Sequence, residues 1–306
     1  MPDSKKFYVL ALDGGGTRGV YSAQLLSKLE TTLGRSIRDC FHLIAGSSTG
    51  SIVAGAAATG IKMEKTVGFF EKSAKRVFKK RFYRCGLTKS KYRNEQLREV
   101  ITDSLPSITL GEIETPLMIT GSDTSTGKAR VFKSRYLKQL GEPYVMDGNL
   151  LLSKVILASC SAPTFFDPTD IDGHLVVDGG LWANNPSIIS LSEAISKFNR
   201  EVKDVKILSI GTGQKTESIY ARQKHWGLLT GWGGVKLVTY FLDLQSQASK
   251  NMAELVLGNN YLRLNPSIGD WNLDDTEHLE NLRSLADMDY SYNVDAIKAF
   301  TIPDGG

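Results

Sequence analysis

The sequence predicts an α/β protein: a three-layer α/β/α sandwich whose central, mostly parallel sheet is covered by helices on both faces. Short apolar runs alternate with helical periodicity from residue 7 to about residue 210, the pattern of βα units. The 306 residues suit one large domain, and no internal repeat or Pro/Gly/Ser linker divides them. With 41% hydrophobic and 23% charged residues, the composition excludes a disordered or collagenous chain.

In chain order, residues 7–13 form a short apolar run that ends in glycines, read as the first strand. In 18–33, Leu25, Leu26, Leu29 and Leu33 share one helical face. Residues 40–45 read as a second strand and 51–59 as a small-residue helix. The segments 116–121 and 129–132 flank a turn-rich stretch and pair as a hairpin. Residues 150–159 are helical and 174–177 a strand. Residues 186–199 form a helix with proline in its first turn, and 205–210 a further strand. After about residue 214 the strand signal thins, and helices at 235–257 and 277–300 dominate. The expected organisation is a single domain, 1–306, with 7–214 as catalytic core and 215–306 as lid and C-terminal helices.

Cys40, Cys85 and Cys160 are an odd, widely spaced set without a CxxC pair, which fits a reducing compartment. The first residues run straight into a strand with no signal-peptide pattern, and the one long uncharged stretch, 41–61, is broken by four glycines. A cytoplasmic protein is expected. The net charge of +4 is mild but unevenly distributed.

Three loops carry residue types suited to chemistry. The first, Asp13-Gly14-Gly15-Gly16-Thr17-Arg18-Gly19, formally matches G-x-G-x-x-G. A dinucleotide site would want an acid at the end of the second strand, where Ala45-Gly46-Ser47-Ser48 stands instead. The loop does offer a row of unobstructed N–H groups at a helix N-terminus, suited to an anion that exists only in a transition state. The second, Gly46-Ser47-Ser48-Thr49-Gly50, is a G-x-S-x-G between strand and helix, which exposes the central serine on a sharp turn.

A serine needs a base. Of the four histidines, His42 and His174 lie in strands, while His225 and His278 fall in the less regular C-terminal part. Chain order makes His278 the formal triad candidate, but its acidic, helical surroundings suggest a surface residue. The third loop, Val176-Val177-Asp178-Gly179-Gly180, supplies a carboxylate at a strand end. Loops leaving the carboxyl ends of parallel strands gather along one edge, so Asp178 reaches Ser48 if their strands are near neighbours. A Ser–Asp pair then suffices for proton transfer; a plain Asp-Gly turn is the alternative.

Taken together, these loops resemble the patatin-like phospholipases, serine acyl hydrolases with a Ser–Asp dyad. The resemblance spans residues 13–180 in three ordered motifs, and Asn184-Asn185-Pro186 and the stretch 158–166 resemble segments flanking the family's aspartate. It implies Ser48 as nucleophile, Asp178 as base, the amides of Gly14, Gly15 and Gly16 as oxyanion hole, and Arg18 as a support for that loop or for a substrate phosphate. It implies no metal and no organic cofactor. The implied reaction cleaves fatty-acyl esters of membrane glycerophospholipids to fatty acid and lysophospholipid, with peripheral contact at the inner face of the membrane. Some bacterial relatives are membrane-degrading anti-phage effectors switched on by a cyclic nucleotide. The alternative is a nucleotide-binding sensor with vestigial hydrolase loops.

From residue 72 to residue 94 there are ten Lys/Arg and no acid, with Phe70, Ala74, Val77, Phe78 and Phe82 at helical spacing. This segment reads as a helix lying on anionic lipid, as a surface helix with a solvated basic face, or as a site for an anionic effector such as a cyclic nucleotide. No module for a nucleic-acid polymer is recognised. Trp226, Trp232 and Leu228-Leu229 suggest an interfacial lid or plain packing. The acids of 270–289 suggest a solvated face or a partner for the basic segment. Asp167, Asp170 and Asp172 lack EF-hand spacing and read as turn residues.

Overall fold

The computed structural model describes residues 6–79, 88–134, 146–215 and 235–303. At its centre lies β1 (Phe7–Leu12), buried at every residue. It pairs in parallel with β2 (Leu43–Gly46) on one side and with β7 (Val205–Ile210) on the other. β3 (Leu117–Asp123) continues parallel beyond β2, and β9 (Tyr261–Leu264) beyond β7. β4 (Lys128–Lys133), β5 (Thr169–Ile171) and β6 (His174–Asp178) run antiparallel to their neighbours, giving the order β5-β6-β3-β2-β1-β7-β9 with β4 also on β3. β8 (Gln214–Lys215) and β10 (Ser267–Ile268) form a separate small ladder.

Alternation along β1 assigns the layers. Leu10 and Leu12 pack with α1 (Gly19–Leu33), α2 (Thr49–Ala58), α3 (Met63–Val77), α4 (Asn94–Ser104), α5 (Leu152–Ser159) and α9 (Leu279–Lys298). Phe7, Val9 and Ala11 face the other way, onto α7 (Ser187–Phe198) and α8 (Val235–Leu257). A strand buried on both faces needs apolar residues at every position, which is why residues 7–12 carry no polar–apolar alternation. The short α6 (Gly180–Ala183) follows β6.

Three expectations change. β2 begins at Leu43, because Cys40 closes a helical turn and the His42 ring stacks on Phe7. The basic stretch 72–94 is not one helix: α3 ends at Val77 and α4 starts at Asn94. The central sheet does not end within 7–214, since β9 extends it. Only four residues long and flanked by asparagines, β9 gives no countable period.

β3 positions the site. Its residues 118–123 pair with β4, while β2 takes 117–119 and β6 takes 121–123. A strand has two edges, so β2 and β6 must share one, end to end. β2 runs with β3 and stops opposite Ile119; β6 runs against it and stops opposite Gly121. Their carboxyl ends therefore meet head-on. Ser48 and Asp178 converge for this reason, not through the carboxyl edge of a parallel sheet.

Candidate active site

Between Gly46 and α2 the chain must reverse within two residues. A Cβ on Gly46 would stand 2.4 Å from the Gly50 carbonyl oxygen, and one on Gly50 2.3 Å from that of Leu12. Both glycines of G-x-S-x-G are thus close-approach positions. Ser48 takes φ 50°, ψ −127°, a conformation that favours glycine and carries roughly 1–3 kcal/mol of strain. Ser48→Gly should therefore be more stable than Ser48→Ala by about 1 kcal/mol or more, both lacking Oγ, when their thermal unfolding is compared. Equal midpoints would mean that the turn is unstrained.

The turn aims Ser48 Oγ at Asp178, and the hydroxyl donates to Oδ2 at 2.6 Å. The other carboxylate oxygen accepts the Gly180 N–H at 2.7 Å. Burial pushes the Asp178 carboxyl up to about 7, against the opposing pull of its bonds from Ser48 and Gly180. The end of α5 braces both members: Ser159 Oγ accepts the Ser48 N–H at 2.9 Å, and the Ser161 carbonyl accepts the Asp178 N–H at 3.1 Å. Ser159 and Ser161 lie in the stretch 158–166 noted in the sequence, which gave neither a role.

The glycine loop faces this pair, with one difference from expectation. The Gly14 N–H donates to the Asn184 carbonyl at 3.1 Å and is not open. The N–H groups of Gly15 and Gly16 have no acceptor among the described residues, and both glycines line the pocket that holds Ser48 and Asp178. Gly16 has φ 60°, and a Cβ there would meet the Leu273 carbonyl oxygen at 2.0 Å. Thr212 Oγ1 fixes the loop by donating to the Gly14 carbonyl at 2.8 Å.

Arg18 is buried beneath the loop and donates to the carbonyls of Gly15 and Gly213 at 3.3 and 3.4 Å. Burial lowers its pKa while Asp243 and Asp13 oppose the shift. It does not line the pocket, so of its two expected roles the geometry gives it loop support. Arg263 on β9, unforeseen in the sequence, holds Asp13 through paired bonds of 2.7 and 2.5 Å, and Ser246 Oγ donates to the same carboxylate at 2.7 Å.

No described histidine joins the pair. His42 accepts the Tyr8 N–H through Nδ1, and burial lowers its pKa. His174 Nδ1 bonds to Asp123 and His278 stacks on Trp271. His225, Cys85, Phe82, Trp226, Trp232 and Leu228-Leu229 lie outside the described residues. Asp172 lies in the turn joining β5 to β6, where Asp172 and Gly173 both have positive φ; Asp170 is a strand residue of β5 whose carboxylate accepts the Gly173 N–H, and Asp167 pairs with Asn94. Within the basic stretch, Arg76 pairs with Glu99 and Lys91 with Asp274.

Beyond Ser48 the pocket opens into about 680 Å³ of space, part of it open to solvent, walled by Phe69, Phe70, Val77, Phe165, Phe166 and Leu242. An apolar channel ending at a serine, a carboxylate and two free amides is suited to transferring an acyl group with a hydrocarbon tail.

Residues 10–189 match the family model described as patatin-like phospholipase. A "cGAMP-activated phospholipase" of Escherichia coli strain TW11681 is 33% identical over 98% of this chain and 94% of its own length. A "cUMP-AMP-activated phospholipase" of Escherichia coli is 26% identical over 81% of this chain and 77% of its own. The crystal structure of VipD from Legionella pneumophila shares the fold, with a TM-score of 0.57 at 11% identity over 97% of this chain and 67% of that one.

Proposed function

The chain belongs to the patatin-like phospholipase family, and from that premise we propose that it cleaves fatty-acyl esters of membrane glycerophospholipids through a Ser48–Asp178 dyad, under the control of a cyclic dinucleotide. The observation that carries the chemistry is the 2.6 Å bond from Ser48 Oγ to Asp178 Oδ2, in a buried setting that no described histidine joins. Ser48 Oγ attacks the ester carbonyl carbon as its proton passes to Asp178. The carbonyl oxygen, now an oxyanion, is held by the N–H groups of Gly15 and Gly16, and the N-terminus of α2 adds its positive potential at Ser48. Asp178 returns the proton to the departing lysophospholipid alkoxide, leaving the acyl group on Ser48. Water then attacks the acyl-enzyme, gives its proton to Asp178 and releases fatty acid, and the proton goes back to Ser48. The aromatic wall takes the acyl chain.

The substrate lies in a bilayer. Among the described residues no helix is long and apolar enough to cross one, so the reading places the enzyme in peripheral contact with the membrane surface. The dinucleotide enters from the names of the two relatives, which span most of this chain.

Vesicle hydrolysis followed by mass spectrometry of the products, with and without cGAMP or cUMP-AMP, tests the whole reading. Wild type is expected to release fatty acid and lysolipid when a dinucleotide is present, and Ser48→Ala to release neither. Turnover surviving in Ser48→Ala would remove the dyad. Full turnover without dinucleotide would remove the control and leave the chemistry standing.

A further inference from the structure

α3 borders two cavities. Phe70, Ala74 and Val77 line the acyl pocket. Other residues of α3 line a second cleft, about 2140 Å³ of space partly open to solvent, whose far wall includes the end of α4. There Lys65, Phe69, Lys72 and Arg76 follow at i, i+4, i+7 and i+11 and stand in one stripe. Arg76 is held by Glu99, but Lys62, Lys65 and Lys72, all on this cleft, have neither an ion-pair nor a hydrogen-bond partner among the described residues.

Two further observations point to a ligand. A glycine inside a helix costs about 1 kcal/mol relative to alanine. Gly68 has no packing reason for that cost, since a Cβ there would meet nothing within 4 Å, and the open space beside it is the cleft. Thr66, also on the cleft, is 4% exposed and its hydroxyl has no hydrogen-bond partner among the described residues.

We infer that this cleft between α3 and α4 is the binding site of the activating cyclic dinucleotide. The inference rests on the reading that such a molecule is the activator. Its two phosphodiesters are fixed on one small macrocycle, and Lys65 and Lys72 stand two helical turns apart, about 10.5 Å along α3. Phe69 offers a ring for a base to stack on, and Asp103 offers a carboxylate for base N–H groups. A membrane surface is broad and flat and does not reach into a recess. Ile52, Phe69 and Ser73 line both cavities, so a ligand that favours one placement of Phe69 also sets the shape of the acyl pocket.

Titration calorimetry of the full chain with cGAMP, cUMP-AMP and AMP tests the site, alongside sedimentation with anionic vesicles. Wild type is expected to bind one of the two cyclic dinucleotides more tightly than AMP. Lys65→Glu/Lys72→Glu should weaken that binding by about tenfold or more. Gly68→Leu should weaken it by filling the gap, while the thermal midpoint holds or rises, which separates a lost site from a lost fold. Unaltered dinucleotide affinity in both variants would overturn the location and leave the activator reading intact. Absence of dinucleotide binding to wild type would overturn both. Charge reversal that weakened vesicle binding but not dinucleotide affinity would assign the stripe to lipid headgroups and overturn the inference.

Discussion

Asp178→Asn is expected to lower turnover by about 100- to 10,000-fold, the usual contribution of a positioned general base, and at the same time to make the protein more stable above pH 7. The two effects share one cause. Burial raises the Asp178 carboxyl to about 7, so the folded state holds its proton more tightly than the unfolded chain, where it titrates near 3.8. The stability this group confers is therefore fully present below pH 4 and is lost as the pH rises through 7. Ionising it in the fold costs on the order of 4 kcal/mol. Asn carries no charge to bury, so the gap between mutant and wild-type melting temperatures should be near zero at pH 4 and widen to its full value above pH 7.

The same shift sets the pH dependence of the wild type. Only the ionised carboxylate can take the Ser48 proton, so turnover should rise along an acid limb centred near pH 7. A limb near pH 4 would mean that the carboxylate is solvated when the enzyme is at work. An Asp178→Asn protein no more stable than wild type at pH 8 would mean that the native state does not bear the cost of the buried charge. The strain at Ser48 points the same way: Ser48 and Asp178, the proposed dyad, are both held in states that the fold disfavours, a familiar opposition between stability and activity.

The three loops were legible because each is local. A glycine that must admit a neighbouring backbone, a serine on a strand-to-helix turn and an aspartate closing an apolar run each leave a mark within a few residues. How they meet was not legible. The approach of Ser48 to Asp178 depends on β2 and β6 sharing one edge of β3 from opposite directions, and no short window of residues carries strand direction. The state of the Gly14 amide depends on the carbonyl of Asn184, 170 residues downstream. Arg18 showed its charge but not its burial, so its choice between the loop and a phosphate waited on the position of Gly213. The C-terminal third looked like appended helices because the strand it adds is four residues long, yet that strand brings Arg263, the cation that pairs with Asp13.

Replacing that cation should be the most damaging single change to the fold around the site. Asp13 is buried, the Arg263 side chain is only 9% exposed, and Asp13 is the residue from which the glycine loop springs. Burial works against the Arg263 charge, and Asp13 together with Tyr261 and Tyr21 more than offsets it, so the guanidinium pKa is raised. Arg263→Met keeps much of the side-chain volume but leaves the Asp13 carboxylate with Ser246 alone, and breaking a buried pair from one side costs about 3–5 kcal/mol. Denaturant unfolding should show that loss. Asp13→Leu/Arg263→Met removes both charges and should recover most of it, since a buried pair and an apolar pair of similar volume differ little. Recovered stability need not bring recovered turnover: in the proposed mechanism the Gly15 and Gly16 amides must stand where the oxyanion forms, and an apolar contact fixes the start of the loop less tightly than two directed hydrogen bonds. A double variant as unstable as Arg263→Met would mean that the guanidinium supports the fold through Ser209 and not through Asp13, and the anchor of the loop would have to be sought in Thr212 instead.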